Sequence, residues 1–355
     1  MDARKIPRDG LTRRGASVNI TLVFSAVKIL NMVYLKSRPF LLNHKINLAC
    51  DCHCRQCDSW KKKEDPGLLL RRDEIETMID QAAALGMLSY SVWGGEPLLR
   101  EDTAAVLAYA RRRGFFTTLS TNGSHLAERA SDFVKPTSLF VVSLDGIGKN
   151  HDQARGFPGL FDLAVKGIET VRRLGGRARI WFIVNSHNAG DLGETARLAK
   201  ELKVSIGFFP LLHFDGYNDD LVLSREAERE IFDRVLKLQA QGLPIVNLPS
   251  YLKVIRDGRA VACHFPKYHI YVDYDGTLYT CDLGPDLRHN QWGNVRDKDL
   301  LKLFQGRPWK EKVRELEACN RCRVSCGEIG AGSPLLQFPV RALLRIRYEW
   351  LFQRT

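Results

Sequence analysis

The sequence predicts an α/β fold: a partial (βα)6 barrel followed by a small, cysteine-rich hairpin-plus-helix domain. Three observations carry that prediction. Apolar, strand-like runs alternate six times with amphipathic helical periods between Phe40 and residue 240, the pattern of parallel strands joined by right-handed crossovers. The alternation then stops near residue 245. Beyond it lies a hairpin signal set among cysteines.

Residues 1–16 are basic, with Arg4, Lys5, Arg8, Arg13 and Arg14, and are expected to carry little order. After them Ile20, Val23, Phe24, Val27, Leu30 and Tyr34 recur at helical spacing opposite Thr21, Ser25, Lys28 and Asn31, so residues 1–39 read as a basic segment with an amphipathic helix. Such a helix packs on the body of the protein or lies in a membrane interface. The barrel, residues 40–245, takes its strands from 40–49, 88–93, 115–120, 138–144, 178–184 and 204–210. Its helices are expected at 71–85, 101–113, 124–132, 160–174, 189–202 and 224–240. The runs 139–142 and 180–184 are apolar at consecutive positions, which predicts strands buried on both faces. Within the auxiliary domain, residues 246–330, alternating residues flank Asp275-Gly276, a hairpin signature, and a helix near 297–305 follows. Residues 331–355 are expected to form a basic amphipathic helix, with Leu343, Leu344, Tyr348 and Leu351 among Arg341, Arg345, Arg347 and Arg354.

A chain of 355 residues, 45% of them hydrophobic, suffices for one domain of about 200–250 residues and a smaller companion. The formal charge of +12 asks for an anionic partner or surface without naming it. Nucleic acid is disfavoured, because no basic stripe interleaves with aromatics and no RNA-binding module is evident. No segment is expected to span a membrane: polar residues interrupt 18–35, and Lys36-Ser37-Arg38-Pro39 follows in place of a signal-peptide cleavage site. A cytoplasmic protein is expected, peripheral to the inner face of the membrane through its two basic ends.

The nine cysteines fall into two sets, within 50–57 and 263–326. Disulfide frameworks spread their cysteines and leave no odd one, so metal or cluster binding in a reducing compartment accounts better for the pattern. In the first set, Cys50-x3-Cys54-x2-Cys57 can set three thiolates around one iron–sulfur cluster and leave one iron open. The alternative is a closed zinc site drawn from Cys52, His53, Cys54 and Cys57. Gly94-Gly95-Glu96-Pro97, Ser120-Thr121-Asn122-Gly123 and Ser143-Leu144-Asp145-Gly146 fall at further strand ends, where parallel α/β folds place their chemistry.

Cys50-x3-Cys54-x2-Cys57, Gly94-Gly95-Glu96-Pro97 and the strand end at Ser143 resemble the radical S-adenosylmethionine (SAM) enzymes. His151-Asp152-x2-Arg155-Gly156-x2-Gly159-x-Phe161 and Val184-Asn185-x2-Asn188 extend the match over about residues 40–240. The resemblance implies a [4Fe–4S] cluster on Cys50, Cys54 and Cys57 with SAM on the fourth iron. An electron from the cluster cleaves SAM to a 5′-deoxyadenosyl radical, which takes hydrogen from substrate. It further implies SAM contacts from Gly94, Gly95, Glu96, Pro97, Asn122, Ser143, Arg155 and Asn185, and a reductant such as flavodoxin or ferredoxin. Glu96 would accept from the ammonium of SAM, and Arg155 suits its carboxylate because a guanidinium binds carboxylates as a fork. Two positions depart from the family: Gln56 stands where an aromatic residue is usual, and Cys52 is an additional thiol.

The second set resembles the auxiliary-cluster extensions called twitch and SPASM. Five cysteines suffice for one auxiliary [4Fe–4S] cluster, on Cys263, Cys281, Cys319 and Cys322 with Cys326 spare, and four thiolates also suit zinc. Asp282 takes the place of the aspartate base in sulfatase-maturing relatives. The resemblance leaves the substrate open among lipids, small molecules and peptides. The cationic amphipathic ends favour a lipid or membrane-associated small molecule. A peptide substrate is the alternative, for which about 40 residues ahead of the first strand leave too little chain for a leader-binding winged helix. A metal-stapled binding protein is the remaining, non-enzymatic reading.

Overall fold

The computed structural model describes residues 39–213, 216–259, 269–280, 291–297 and 299–319. The expected helices in 1–39 and 331–355 lie outside the described residues. Six parallel strands run in sequence order: β1 (Leu41–Lys45), β2 (Ser89–Trp93), β3 (Phe116–Thr121), β4 (Leu139–Ser143), β5 (Ala178–Val184) and β6 (Ser205–Pro210). Each falls within the run of residues that predicts it, give or take one residue. The crossovers carry α1 (Arg72–Ala84), α2 (Thr103–Arg112), α3 (Leu126–Phe133), α4 (Lys149–Arg155), α5 (Leu160–Arg173) and α6 (Leu192–Glu201), and α7 (Arg225–Ala240) follows β6. The fold is the expected α/β partial barrel.

Three features depart from the expectation. Strands β2 to β5 are fully buried at every second residue only; the intervening ones, Ser91, Ser120, Val141, Ser143 and Trp181 among them, are half-buried. Apolar runs therefore do not mark two buried faces here. The helix-covered face takes Phe140, Val142, Ile180 and Phe182, all at 0% exposure, and the opposite face borders open space. Only β6 is buried throughout. Its outer edge is capped by residues 244–247: Ile206 N donates to Pro244 O, and the Asn247 side chain bridges both backbone groups of Phe208 (2.8 and 3.0 Å). That cap satisfies the edge groups an open sheet would leave unpaired. A further helix, α8 (Pro249–Arg256), packs on α7.

The second departure concerns the hairpin. It forms where Asp275-Gly276 predicts it, as β7 (His269–Val272) and β8 (Thr277–Tyr279), with Gly276 at φ +86°. But β7 pairs in parallel with β1, Leu41 level with His269, so the hairpin continues the barrel sheet. A ninth strand, β9 (Gln291–Asn294), completes the order β6-β5-β4-β3-β2-β1-β7-β8-β9. Third, two helices end this part, α9 (Leu300–Gln305) and α10 (Arg307–Glu317), where one was expected. Among the described residues no helix is long and apolar enough to cross a membrane.

Candidate active site

The loop after β1 carries the first cysteine set, and segments far away in sequence pin it. Arg55 N donates to Ala154 O (3.1 Å), Trp60 Nε1 to Cys54 O (3.2 Å) and Tyr217 Oη to Cys57 O (2.5 Å). Gly156 caps α4 at φ +61°, and a Cβ there would stand 2.5 Å from the His53 carbonyl oxygen. A side chain would thus both strain the turn and push the cysteine loop away.

Cys50, Cys54 and Cys57 line one cleft of about 180 Å³, and Gly94, Gly95, Asn122, Ser143 and Arg155 line it with them. The structure thereby gathers residues from the ends of four strands and from α4. Gly94 and Gly95 are needed first by the cysteine loop itself: a Cβ on Gly94 would stand 2.5 Å from Asn47 O, and one on Gly95 would overlap the Ala49 carbonyl. Gly95 N and Glu96 N donate to those two carbonyls at 2.9 and 2.7 Å.

Glu96 and Pro97 are not among the residues lining the cleft. Glu96 is completely buried; Oε1 accepts from Leu98 N and Thr121 Oγ1 (2.9 Å each) and Oε2 from Asn122 N (2.7 Å). Burial pushes its pKa up to about 7 against the pull of those donors. Its position makes it a brace between the loops after β2 and β3. Pro97 opens the turn Pro97–Leu99 that Glu96 caps. Asn185 is 1% exposed and borders a neighbouring cavity of about 200 Å³, with Arg55, Gln56, His187 and Asn188.

Gln56, on the second cavity, ties two strand ends together. Its Nε2 donates to Asp145 Oδ2 (2.9 Å), and its Oε1 accepts from Asn185 Nδ2 (3.4 Å). Asp145 is the hub of this wall, completely buried, paired with Arg155 Nη2 at 2.5 Å and accepting from Ile183 N at 2.8 Å. Its own amide donates to His151 Nδ1 (3.0 Å); burial lowers the His151 pKa to about 3, so that ring is neutral. Arg155 Nη1 lies 3.8 Å from Cys54 Sγ. One helix turn thus explains the His151-x3-Arg155-Gly156 phrase: His151 orients Asp145, Arg155 spans from Asp145 to the thiol, and Gly156 admits the cysteine loop.

Cys52, at 1% exposure, borders the same cleft and accepts from Asn122 Nδ2 (3.0 Å), which also donates to Asp51 Oδ1 (2.7 Å). Hydrogen bonding with Cys52, then the Arg155 charge, holds the Cys54 thiol down at about 6, while the same bonds raise Cys52. Hydrogen bonding with Cys52 lowers Cys50 too, whereas burial raises Cys57. Two thiols of lowered pKa, Cys50 and Cys54, with a guanidinium beside Cys54 and a third thiol, Cys57, on the same cleft, fit the three-thiolate side of an iron–sulfur cluster.

Of the second set, Cys319 is described; it is half-buried, just beyond α10, with its amide donating to Leu316 O (3.0 Å). Cys263, Cys281, Cys322, Cys326 and Asp282 lie outside the described residues. Sequence reasoning missed Asp145, Thr121 and Tyr217 as parts of the site. Asp145 had a signal, its place in the strand-end phrase after β4. Tyr217 had none, because it reaches Cys57 from 160 residues away.

Residues 45–199 match the family model of the radical SAM superfamily, and residues 263–327 match that of the SPASM iron-sulfur cluster-binding domain. The chain is 27% identical over 293 residues to the Fe-coproporphyrin III synthase of Methanosarcina barkeri, covering 72% of this chain and 71% of that protein. It is 26% identical over 313 residues to the mycofactocin maturase MftC of Mycolicibacterium smegmatis, covering 82% and 76%. In structure it is similar to Streptococcus suis SuiB bound to S-adenosylmethionine (TM-score 0.67, 18% identity, 81% of this chain and 73% of that one), a protein also solved with its precursor peptide SuiA. That last likeness concerns the fold.

Proposed function

We propose, from the premise that this chain is a radical SAM enzyme with a SPASM domain, that it modifies a peptide through a SAM-derived radical. The cleft shared by Cys50, Cys54, Cys57, Gly94, Gly95 and Arg155 carries the reading. Cluster and SAM together supply reductive cleavage of a sulfonium bond and, from it, hydrogen-atom abstraction. The chain's residues do the rest. Cys50, Cys54 and Cys57 hold the cluster. Gly94, Gly95, Asn122 and Ser143 line the cleft and would hold SAM, and Arg155, 3.8 Å from Cys54 Sγ, would offset negative charge there. By sequence, Cys319 with Cys263, Cys281 and Cys322 would hold an auxiliary cluster, and Asp282, next in the chain after Cys281, would serve as a base.

A peptide substrate is supported by relatives named as maturases and replaces the lipid preference drawn from the basic ends. A tetrapyrrole is the second reading, supported by the Fe-coproporphyrin III synthase relative. The half-buried Trp181, stacked on Phe209 at 3.9 Å on the open face, offers a flat surface to an aromatic side chain or to such a ring.

The test is anaerobic reconstitution with iron, sulfide, SAM and dithionite. The wild type is expected to show iron–sulfur absorbance and to release 5′-deoxyadenosine; replacing Cys50, Cys54 and Cys57 by alanine should abolish the deoxyadenosine and leave only absorbance from an auxiliary cluster. Deoxyadenosine from the triple variant would refute the assignment.

A further inference from the structure

Strand β1 reads Leu-Leu-Asn-His-Lys, and the pleat sends neighbours to opposite faces. His44 goes to the helix side, where Nδ1 bonds Tyr90 Oη at 2.7 Å. Lys45 therefore goes to the open face, level with Trp93, which lines the cysteine cleft. The Lys45 side chain is 7% exposed, yet its ammonium lies 3.8 Å from Asp273 Oδ2, longer than a hydrogen bond. Nζ stands 5.0 Å over the Trp93 ring and 5.8 Å from that of Tyr279. Tyr271 completes the frame, 5.3 Å from Tyr279 and 5.8 Å from Trp93.

Three donors on a nearly buried ammonium call for acceptors. Asp273 supplies attraction at a distance, and among the described residues no hydrogen bond from Nζ is completed. The aromatic faces stabilise the charge without occupying its donors. An ammonium framed by aromatic faces suits an anionic oxygen pair attached to an apolar stem.

We infer that Lys45 anchors a carboxylate of the substrate beside the SAM cleft. This rests on the radical SAM reading above and deepens it: the substrate presents a carboxyl group, whether as an acidic side chain or C-terminus of a peptide or as an acid side chain of a tetrapyrrole. Lys45 is a specificity-determining, positioning residue; it does not touch the reacting atoms. A Lys45–Asp273 pair that merely joins β1 to β7 would behave differently, because carboxylate recognition would not depend on it.

The experiment uses reconstituted, SAM-loaded holoenzyme and two probe pairs. One is coproporphyrin III against its tetramethyl ester, followed by absorbance. The other is a pool of random octapeptides against the same pool methyl-esterified at every carboxyl group, followed by affinity-selection mass spectrometry. The wild type is expected to prefer the acid by about tenfold or more in at least one pair, the worth of one charge-assisted hydrogen bond. Lys45→Met should lose that preference and Lys45→Arg keep it, both with wild-type affinity for SAM. Asp273→Asn, which removes the competing counter-ion, should strengthen the acid preference. Preference that survives in Lys45→Met overturns the inference, and so does a wild type without preference in either pair. Should Lys45→Met fail to fold, loss of preference in Lys45→Arg or an unchanged one in Asp273→Asn would overturn it instead. The pair that responds identifies the source of the carboxylate. Absence of 5′-deoxyadenosine from the wild type would overturn the SAM reading instead, and the acid-over-ester comparison is read independently of it.

Discussion

His44 and Lys45 are chain neighbours that meet opposite surroundings, and the contrast between them is the contrast between the two faces of the sheet. The helix-covered face is closed: Tyr90, Phe140, Ile180 and Phe182 have no exposure, and a neutral His44 bonds Tyr90 there. The open face is half-buried and mixes Ser91, Ser120 and Ser143 with Trp93 and Trp181. One face is closed by packing and the other is left partly open. The largest expected effect breaks that contrast directly. Phe182→Ala should cost about 3–5 kcal/mol, the loss and cavity expected of a buried ring. Its neighbour Trp181→Ala, facing the open side, should cost well under half as much while impairing turnover. Chemical unfolding of both variants checks this; equal losses would mean that both faces are core.

A second effect concerns a completely buried carboxylate, Asp145, just after the end of β4. Asp145→Asn removes the partner of Arg155, whose side chain is 11% exposed. Leaving a guanidinium uncompensated there should cost about 3 kcal/mol. The variant should also bind iron less tightly, since Arg155 would lose its hold near Cys54. Unfolding stability together with iron content per chain gives the answer, and a variant as stable as wild type would show that the pair contributes little.

The pH response separates the faces next. Burial lowers the pKa of His44 to about 3, against about 6.5 in the unfolded chain. The unfolded state therefore binds more protons between those values, so stability is full above about 6.5 and falls as the pH drops toward 3. At pH 5 the loss assigned to His44 is roughly 2 kcal/mol. His44→Gln should flatten the decline in thermal unfolding temperature between pH 7 and pH 5; an unchanged slope would place the sensitivity elsewhere. Glu96 acts in the opposite direction. Its raised pKa makes its contribution largest below the ordinary carboxylate range and lost as the pH climbs through about 7.

The same two faces explain what could be read from the sequence. Helix-facing positions impose periodicity, so α5, with Leu160, Ala164, Ile168 and Val171 inward, is legible from its residues alone. Helix α4, Lys-Asn-His-Asp-Gln-Ala-Arg, has a single apolar residue and no period to find. It is held by what it touches, Asp145 and the cysteine loop. Likewise Asp275-Gly276 specifies a hairpin but nothing local says that β7 will lie along β1. In the site, thiol spacing was readable because cluster chemistry constrains it. The bridge made by Gln56 was not, since Asp145 and Asn185 come from different strand ends.

Gly156→Ala is the smallest change and probes how tightly the two halves of the site are coupled. Its left-handed φ of +61° and the approach of His53 O oppose a side chain for separate reasons. The conformation alone should cost about 1 kcal/mol. If the turn yields, Arg55 N would part from Ala154 O and the stretch holding Cys54 would shift away from Arg155. The outcome expected is therefore a modest fall in unfolding temperature with a larger fall in iron retained after desalting. Equal, small losses in both would show that the cysteine loop keeps its place without support from α4, and the coupling drawn between them would be wrong.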